Sequence, residues 1–264
     1  MALCPVVSFV MRSRHSTRRA ALACIAWVLA AATAGAAGEG EWLDIEGQIQ
    51  YGYYTEDARA LANLATRLDS KEDTDPLKAY YAALAYYRLS FTVEEADPAR
   101  AAEGLEHCVA SLAGVLQQRA DWAEALALDG ACLGSLAQLK PLRAPFAGPK
   151  SRSQLTRALQ LEPRNPRVLM LDGWREYEHA QGSGRAVKDG ACAKLQRAVA
   201  AFEAARRGEE HVPEWGTAEG YALWGRCELD RGEPVAARDA LERALLIAPE
   251  FALARRLIAR ITAG

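Results

Sequence analysis

The chain has 264 residues, half of them hydrophobic and a quarter charged, with a formal charge of −2. That is the composition of a globular chain long enough for a large core or a row of stacked units, and it excludes a basic nucleic-acid binder. The first 38 residues hold four arginines and no acid, so the 28 basic and 34 acidic residues that follow make the remainder the acidic part.

The N-terminal stretch has the layout of a secretory leader. Arg12, Arg14, Arg18 and Arg19 precede an uncharged, Ala-rich run from Ala20 to Ala37, and Ala34-Gly35-Ala36 fits a small-residue cleavage site. Met11 gives a more conventional basic region than Met1. Residues 1–38 are therefore read as a signal peptide cleaved near Ala36, with residues 39–264 as one mature domain in the periplasm or beyond. An uncleaved membrane anchor is the alternative, and Thr17-Arg18-Arg19 leaves the choice between general and twin-arginine export open. No second apolar run follows, so no membrane span is expected in the mature chain.

From Trp42 onward short amphipathic stretches alternate with Pro- or Gly-marked turns, and period-two alternation is nearly absent. The expectation is all-α. Trp42 to Leu68 reads as a degenerate first helix pair, with Ala58, Ala62 and Ala65 on its second helix. Leu77 to Leu116 reads as another, around Tyr80, Ala83 and Tyr87 and then Ala101, Leu105 and Cys108. A third begins near Asp121 with Trp122, Leu126 and Gly130, passes through a Pro-rich loop from Lys140 to Pro149, and resumes at Ser151, which is expected to cap its second helix. Asn165-Pro166 opens a fourth, through Leu169 and Gly173 to Tyr177, with a loop from His179 to Gly190 and a partner helix from about Asp189 to Arg207. The fifth, Thr217 to Phe251, is the clearest. Phe251 to Ile261 supplies a last helix with Leu253, Leu257 and Ile261 on one face.

In that fifth unit Tyr221, Trp224-Gly225, Gly232, Ala237, Leu241, Ala244 and Pro249 stand at spacings that resemble the 34-residue tetratricopeptide consensus. The resemblance implies an α-solenoid of four to five antiparallel helix pairs with a C-terminal capping helix. Gly148-Pro149-Lys150-Ser151, followed by Leu155, Ala158-Leu159, Pro163 and Asn165-Pro166-Arg167-Val168, resembles a subset of exported bacterial tetratricopeptide-like proteins, which implies fold and export but no activity. The same Gly148–Ser151 stretch fails as a phosphate loop, since the earlier Gly is missing and Pro149 lacks an N–H.

Four cysteines lie in the mature chain. Cys108 and Cys132 are about equally far from the turn near Ala120, as are Cys192 and Cys227 from the turn near Glu210. Two readings stand: disulfides Cys108–Cys132 and Cys192–Cys227, suited to an oxidising compartment, or four small buried thiols. No histidine pairing suits a metal and no nucleophile–base set can be assembled, so neither catalysis, a metal nor a cofactor is expected. The tyrosines are dense between 51 and 87. Those off the Tyr80–Ala83–Tyr87 stripe, Tyr53, Tyr54, Tyr81 and Tyr86, are candidates for a binding face. Asp129 and Asp172, each preceding a glycine at one repeat position, join them as a recurring acidic point. The expected role is a scaffold for an unidentified protein or peptide partner in the envelope. The alternative is the ligand-binding component of an uptake system, its pocket rimmed by tyrosines and covered by the two long loops.

Overall fold

The structure, a computed structural model, describes residues 40–69, 75–181, 184–205 and 213–263. The signal peptide expected over residues 1–38, with its cleavage site near Ala36, lies outside these. The chain divides into two units, Met1–Asp44 and Ile45–Gly264. Of the first, residues 40–44 are described and are helical. The second holds all that follows.

Among the described residues the second unit is all-α. Its helices are α1 (residues 45–54), α2 (Ala58–Leu68), α3 (Pro76–Val93), α4 (Pro98–Gln118), α5 (Ala123–Leu139), α6 (Ala144–Leu161), α7 (Pro166–His179), α8 (Arg185–Ala205), α9 (Thr217–Asp230), α10 (Pro234–Ile247) and α11 (Ala252–Ala263). None is long and apolar enough to cross a membrane.

Many of these starts are written locally. Asp75-Pro76, Asp97-Pro98 and Asn165-Pro166 each put an oxygen-bearing side chain at the cap and proline at the first helical position. The cap oxygen accepts from Leu77 N at 2.8 Å, Arg100 N at 3.0 Å and Arg167 N at 3.0 Å respectively. Proline there has the right φ and lacks only an N–H that the helix would leave unpaired.

Consecutive helices pack on one another from α2 to α11, apart from a lighter contact between α6 and α7. In addition α3 meets α5, α5 meets α7 and α7 meets α9. The odd-numbered helices thus share one layer and the even-numbered ones back it. Within a pair the approach is very close. A Cβ on Gly225 of α9 would stand 2.8 Å from Leu241 Cγ and 3.1 Å from Ala237 O on α10. Gly130 against α6 and Gly173 against α8 meet their partners in the same way. Three pairs therefore use one glycine at one position.

Two findings differ from the sequence reading. Residues 140–149 are not a loop. Pro141–Arg143 form a 3-10 turn that runs into α6, because Pro141 and Pro145 occupy first-turn positions where proline is tolerated. Pro149 then sits one turn further in, on the exposed side, while Ala147 and Ser151 turn inward. Ser151 therefore caps nothing: it is buried within α6 and its hydroxyl donates to Gly130 O at 2.6 Å. Likewise α8 begins at Arg185, so the connection after α7 is much shorter than the His179–Gly190 loop. Among the described residues, neither 140–149 nor 179–190 forms a long covering loop.

Cys108 on α4 is joined to Cys132 on α5, and Cys192 on α8 to Cys227 on α9, with Cα separations of 6.4 and 5.6 Å. Each bridge links the second helix of one pair to the first helix of the next. All four side chains are buried. The bridges close segments with separations of 24 and 35 residues. Each should stabilise the fold by about 3–4 kcal/mol. Alkylation of the native protein without reductant is expected to spare all four cysteines. C192S/C227S should unfold at lower denaturant by that margin, and modification of these thiols in the untreated protein would contradict the pairing.

Candidate functional site

The odd layer closes on itself. Arg88, near the end of α3, is 3% exposed and donates from Nη2 to Glu219 Oε1 of α9 at 2.6 Å; Glu219 is 1% exposed. The same carboxylate accepts from Gln50 Nε2 at 2.7 Å and from the Tyr54 hydroxyl at 2.9 Å, both on α1. The Arg88 guanidinium lies between rings, 4.4 Å from the centre of Tyr53 and 4.9 Å from that of Trp215. A buried ion pair with this many partners is desolvated yet satisfied, apart from Arg88 Nε.

The segment just before α9 is seated in the same layer. Glu214 N donates to Glu46 of α1 at 3.0 Å, and Arg167 Nη1 of α7 reaches Trp215 O at 3.4 Å. Trp215 is 2% exposed, and its Nε1 donates to the Tyr80 hydroxyl at 3.0 Å. Tyr80 stacks on Trp122 with ring centres 4.7 Å apart. Glu214 and Trp215 thus form a plug held by α1, α3 and α7.

Beside this plug opens a cleft of about 440 Å³. Tyr53, Tyr87, Phe91, Trp174 and Phe251 give it aromatic walls; Leu139, Met170, Leu171, Leu223 and Leu253 add aliphatic ones. Three guanidinium groups reach it. Arg88 is committed to Glu219. Arg256 is held by Glu56 through two bonds of 2.6 and 2.7 Å, joining α11 to the turn after α1. Glu56 adopts a left-handed φ of 57°, uncommon for a side-chain-bearing residue. Arg226 differs. Its guanidinium lies 5.3 Å over the Trp174 ring, and no carboxylate among the described residues comes within ion-pair distance. Glu94 also lines the cleft, its carboxyl raised by burial and pulled back by Arg226.

One turn beyond Trp174, burial pushes the Glu178 carboxyl up to about 7, opposed by Arg175, whose Nη1 donates to it at 3.2 Å. Burial raises Glu46 likewise to about 7, against the hydrogen bonds from Tyr81 and Glu214 N.

The six residues singled out from sequence do not share one surface. Tyr53 lines the cleft, and Tyr54 serves Glu219. Tyr81 is wholly buried, donating to Glu46 at 2.9 Å, and Tyr86 is buried against His107 with ring centres 4.7 Å apart. Asp129 accepts from Gln154 at 2.7 Å and Asp172 from Lys194 at 2.9 Å. Their common position therefore ties a first helix to the second helix of its own pair. Sequence reasoning missed Arg88, Glu219, Trp174 and Arg226. Only Arg88 gave a local signal, as the sole cation in the apolar run from Ala79 to Phe91. Among the described residues no group of three or more His, Cys, Asp or Glu is disposed to hold a metal ion.

Among solved structures the chain is similar to the HusA haemophore from Porphyromonas gingivalis, with a TM-score of 0.54 and 23% identity over 70% of this chain and 92% of that one. A likeness at that identity is a likeness of fold. No protein-family profile and no curated protein matches the sequence.

Two outcomes follow from the buried charges. R88M or E219L alone should destabilise by about 3–5 kcal/mol, each stranding a charge, while the double variant should recover most of that loss. Additive losses in denaturant titrations would refute the coupling. Glu46 and Glu178 stay protonated in the fold up to about 7, against an ordinary value of 4.5. The folded state then holds more protons than the unfolded one across that window, so stability should fall as pH rises through it. E178Q should flatten this slope; an unchanged slope in E178Q would show that its carboxyl is not elevated.

Proposed function

We propose that this chain is an exported, non-catalytic binding protein that captures a small ligand with a broad apolar body and an anionic edge in the cleft between Tyr53, Trp174 and Arg226. One observation carries the reading: an unpaired guanidinium stacked on Trp174 at the rim of an aromatic cleft. A guanidinium presents a planar fork of donors that matches a carboxylate. The volume lies in the range of small-molecule sites, which are mostly apolar with a few directed polar groups. Haem, a flat apolar ring with carboxylates on one edge, has this chemistry, and a haemophore shares the fold.

The helix pairs are read as tetratricopeptide-like repeats in a solenoid capped by α11. The support is the glycine shared by α5, α7 and α9 and the bridges that staple neighbouring pairs. Export is supported by those two buried disulfides and by the leader-like N-terminal sequence. An extended-peptide scaffold is favoured less, because Glu214 and Trp215 already hold hydrogen-bonding positions on α1 and α3.

Haemin titration followed by absorbance and tryptophan quenching tests the reading. The expected result is a saturable one-to-one change, weakened about tenfold or more by R226A and by W174A, a loss of roughly 1.4 kcal/mol or above. Haemin binding indifferent to both substitutions would place it elsewhere. Absence of any saturable change would remove haem as the ligand.

A further inference from the structure

The start of α6 is a second feature with a chemistry of its own. Leu142 is 93% exposed and Phe146 81%, the two least covered large apolar side chains in that part of the chain. The helix explains why. Ala147, Ser151, Leu155 and Ala158 make the buried stripe, so Phe146 and the residues three, four and eleven positions after it, Pro149, Lys150 and Arg157, lie away from that stripe. Arg143 and Arg152 flank them, both exposed.

From Gly130 to Leu161 the sequence has five cations and no acid, in a mature chain that is otherwise strongly acidic. Some of this charge is met by neighbouring helices. Glu106 of α4 lies 2.6 Å from Lys140 and 3.1 Å from Arg143; Asp129 is 4.0 Å from Lys150; and Asp121 is 2.6 Å from Arg157. Arg152 has no carboxylate within ion-pair distance among the described residues, and the side chains of Arg143, Lys150 and Arg157 are more than half exposed. The segment remains net positive on an acidic protein, so a negative surface would attract this end and repel the rest.

We infer that this segment docks the protein on an anionic lipid surface, Leu142 and Phe146 entering between headgroups while Arg143, Lys150 and Arg152 stay among the phosphates. Two separate apolar points ringed by flexible cations suit a fluid headgroup layer, where long basic side chains keep their charge in water. They suit a folded protein partner less well, since a stable interface buries about 800 Å² of closely packed surface on each side. The inference is independent of the cleft.

F146W in the full-length chain reports on the site itself. Its spectrum is read as a difference from the parent, which removes the six native tryptophans. With vesicles of phosphatidylglycerol and phosphatidylcholine at low salt, the added emission should shift to the blue and be quenched by lipids brominated in the acyl chain. The response should fade in high salt and with phosphatidylcholine alone. R143E/K150E should weaken the apparent partition about tenfold or more. An unshifted F146W signal on anionic vesicles would overturn the inference, even if the protein sediments with them by another part. So would a response equal on both vesicle types, or a blue shift that depends on protein concentration without lipid, which would mark a self-association face.

Discussion

Arg88 sits almost wholly buried in an apolar helix, and the chain must bring a carboxylate to it from elsewhere. The one it brings is Glu219, 131 residues later, on the first helix of the last pair. Because α1 contributes Gln50 and Tyr54 to the same carboxylate, the first and last pairs are tied through one point. A buried ion pair of this kind adds little net stability over an apolar substitute, but any arrangement that separates the partners is heavily penalised. Its effect is on specificity: an arrangement that parts α3 from α9 leaves both charges buried without a partner.

Much else is a consequence of that closure. A linear repeat array is held by nearest-neighbour contacts and can fray from either end. Here Glu46 to Glu214, Tyr80 to Trp215 and Arg88 to Glu219 couple distant pairs, so the ends are held together. The disulfides reinforce the junctions α4–α5 and α8–α9. The cleft lies beside the plug formed by Trp215, with Arg88 common to both. Tyr53 is likewise shared, one face toward the Arg88 guanidinium and its edge against Phe251, ring centres 5.6 Å apart.

Local chemistry was the legible part. Asn165-Pro166, the glycines before the close approaches and the turn-symmetric cysteines are signals confined to one or two helices. The tyrosines were not legible in the same way. On α3 both Tyr80 and Tyr81, and both Tyr86 and Tyr87, are buried, because this helix is covered by neighbours on nearly all sides. Periodicity then ceases to separate a core face from an outer one. Residues 140–149 misled for another reason: proline and glycine read as breakers, yet proline is at home in a first turn, and two of the three prolines stand there. Arg88–Glu219 and Arg226–Trp174 depend on how distant helices meet, which no local pattern encodes.

The plug also bears on the two kinds of ligand that a row of helix pairs can take. A peptide bound along the odd layer would need the hydrogen-bonding positions that Glu46 and Arg167 give to Glu214 and Trp215, and the ring site that Tyr80 offers to the indole. To displace a covalently attached occupant, a free peptide must overcome an effectively intramolecular competitor. The cleft faces no such competitor. Its aromatic walls are built, and the Arg226 guanidinium over Trp174 has no carboxylate within ion-pair distance among the described residues. On the proposed reading, a compact ligand in the cleft gains contacts on several sides without displacing any part of the chain.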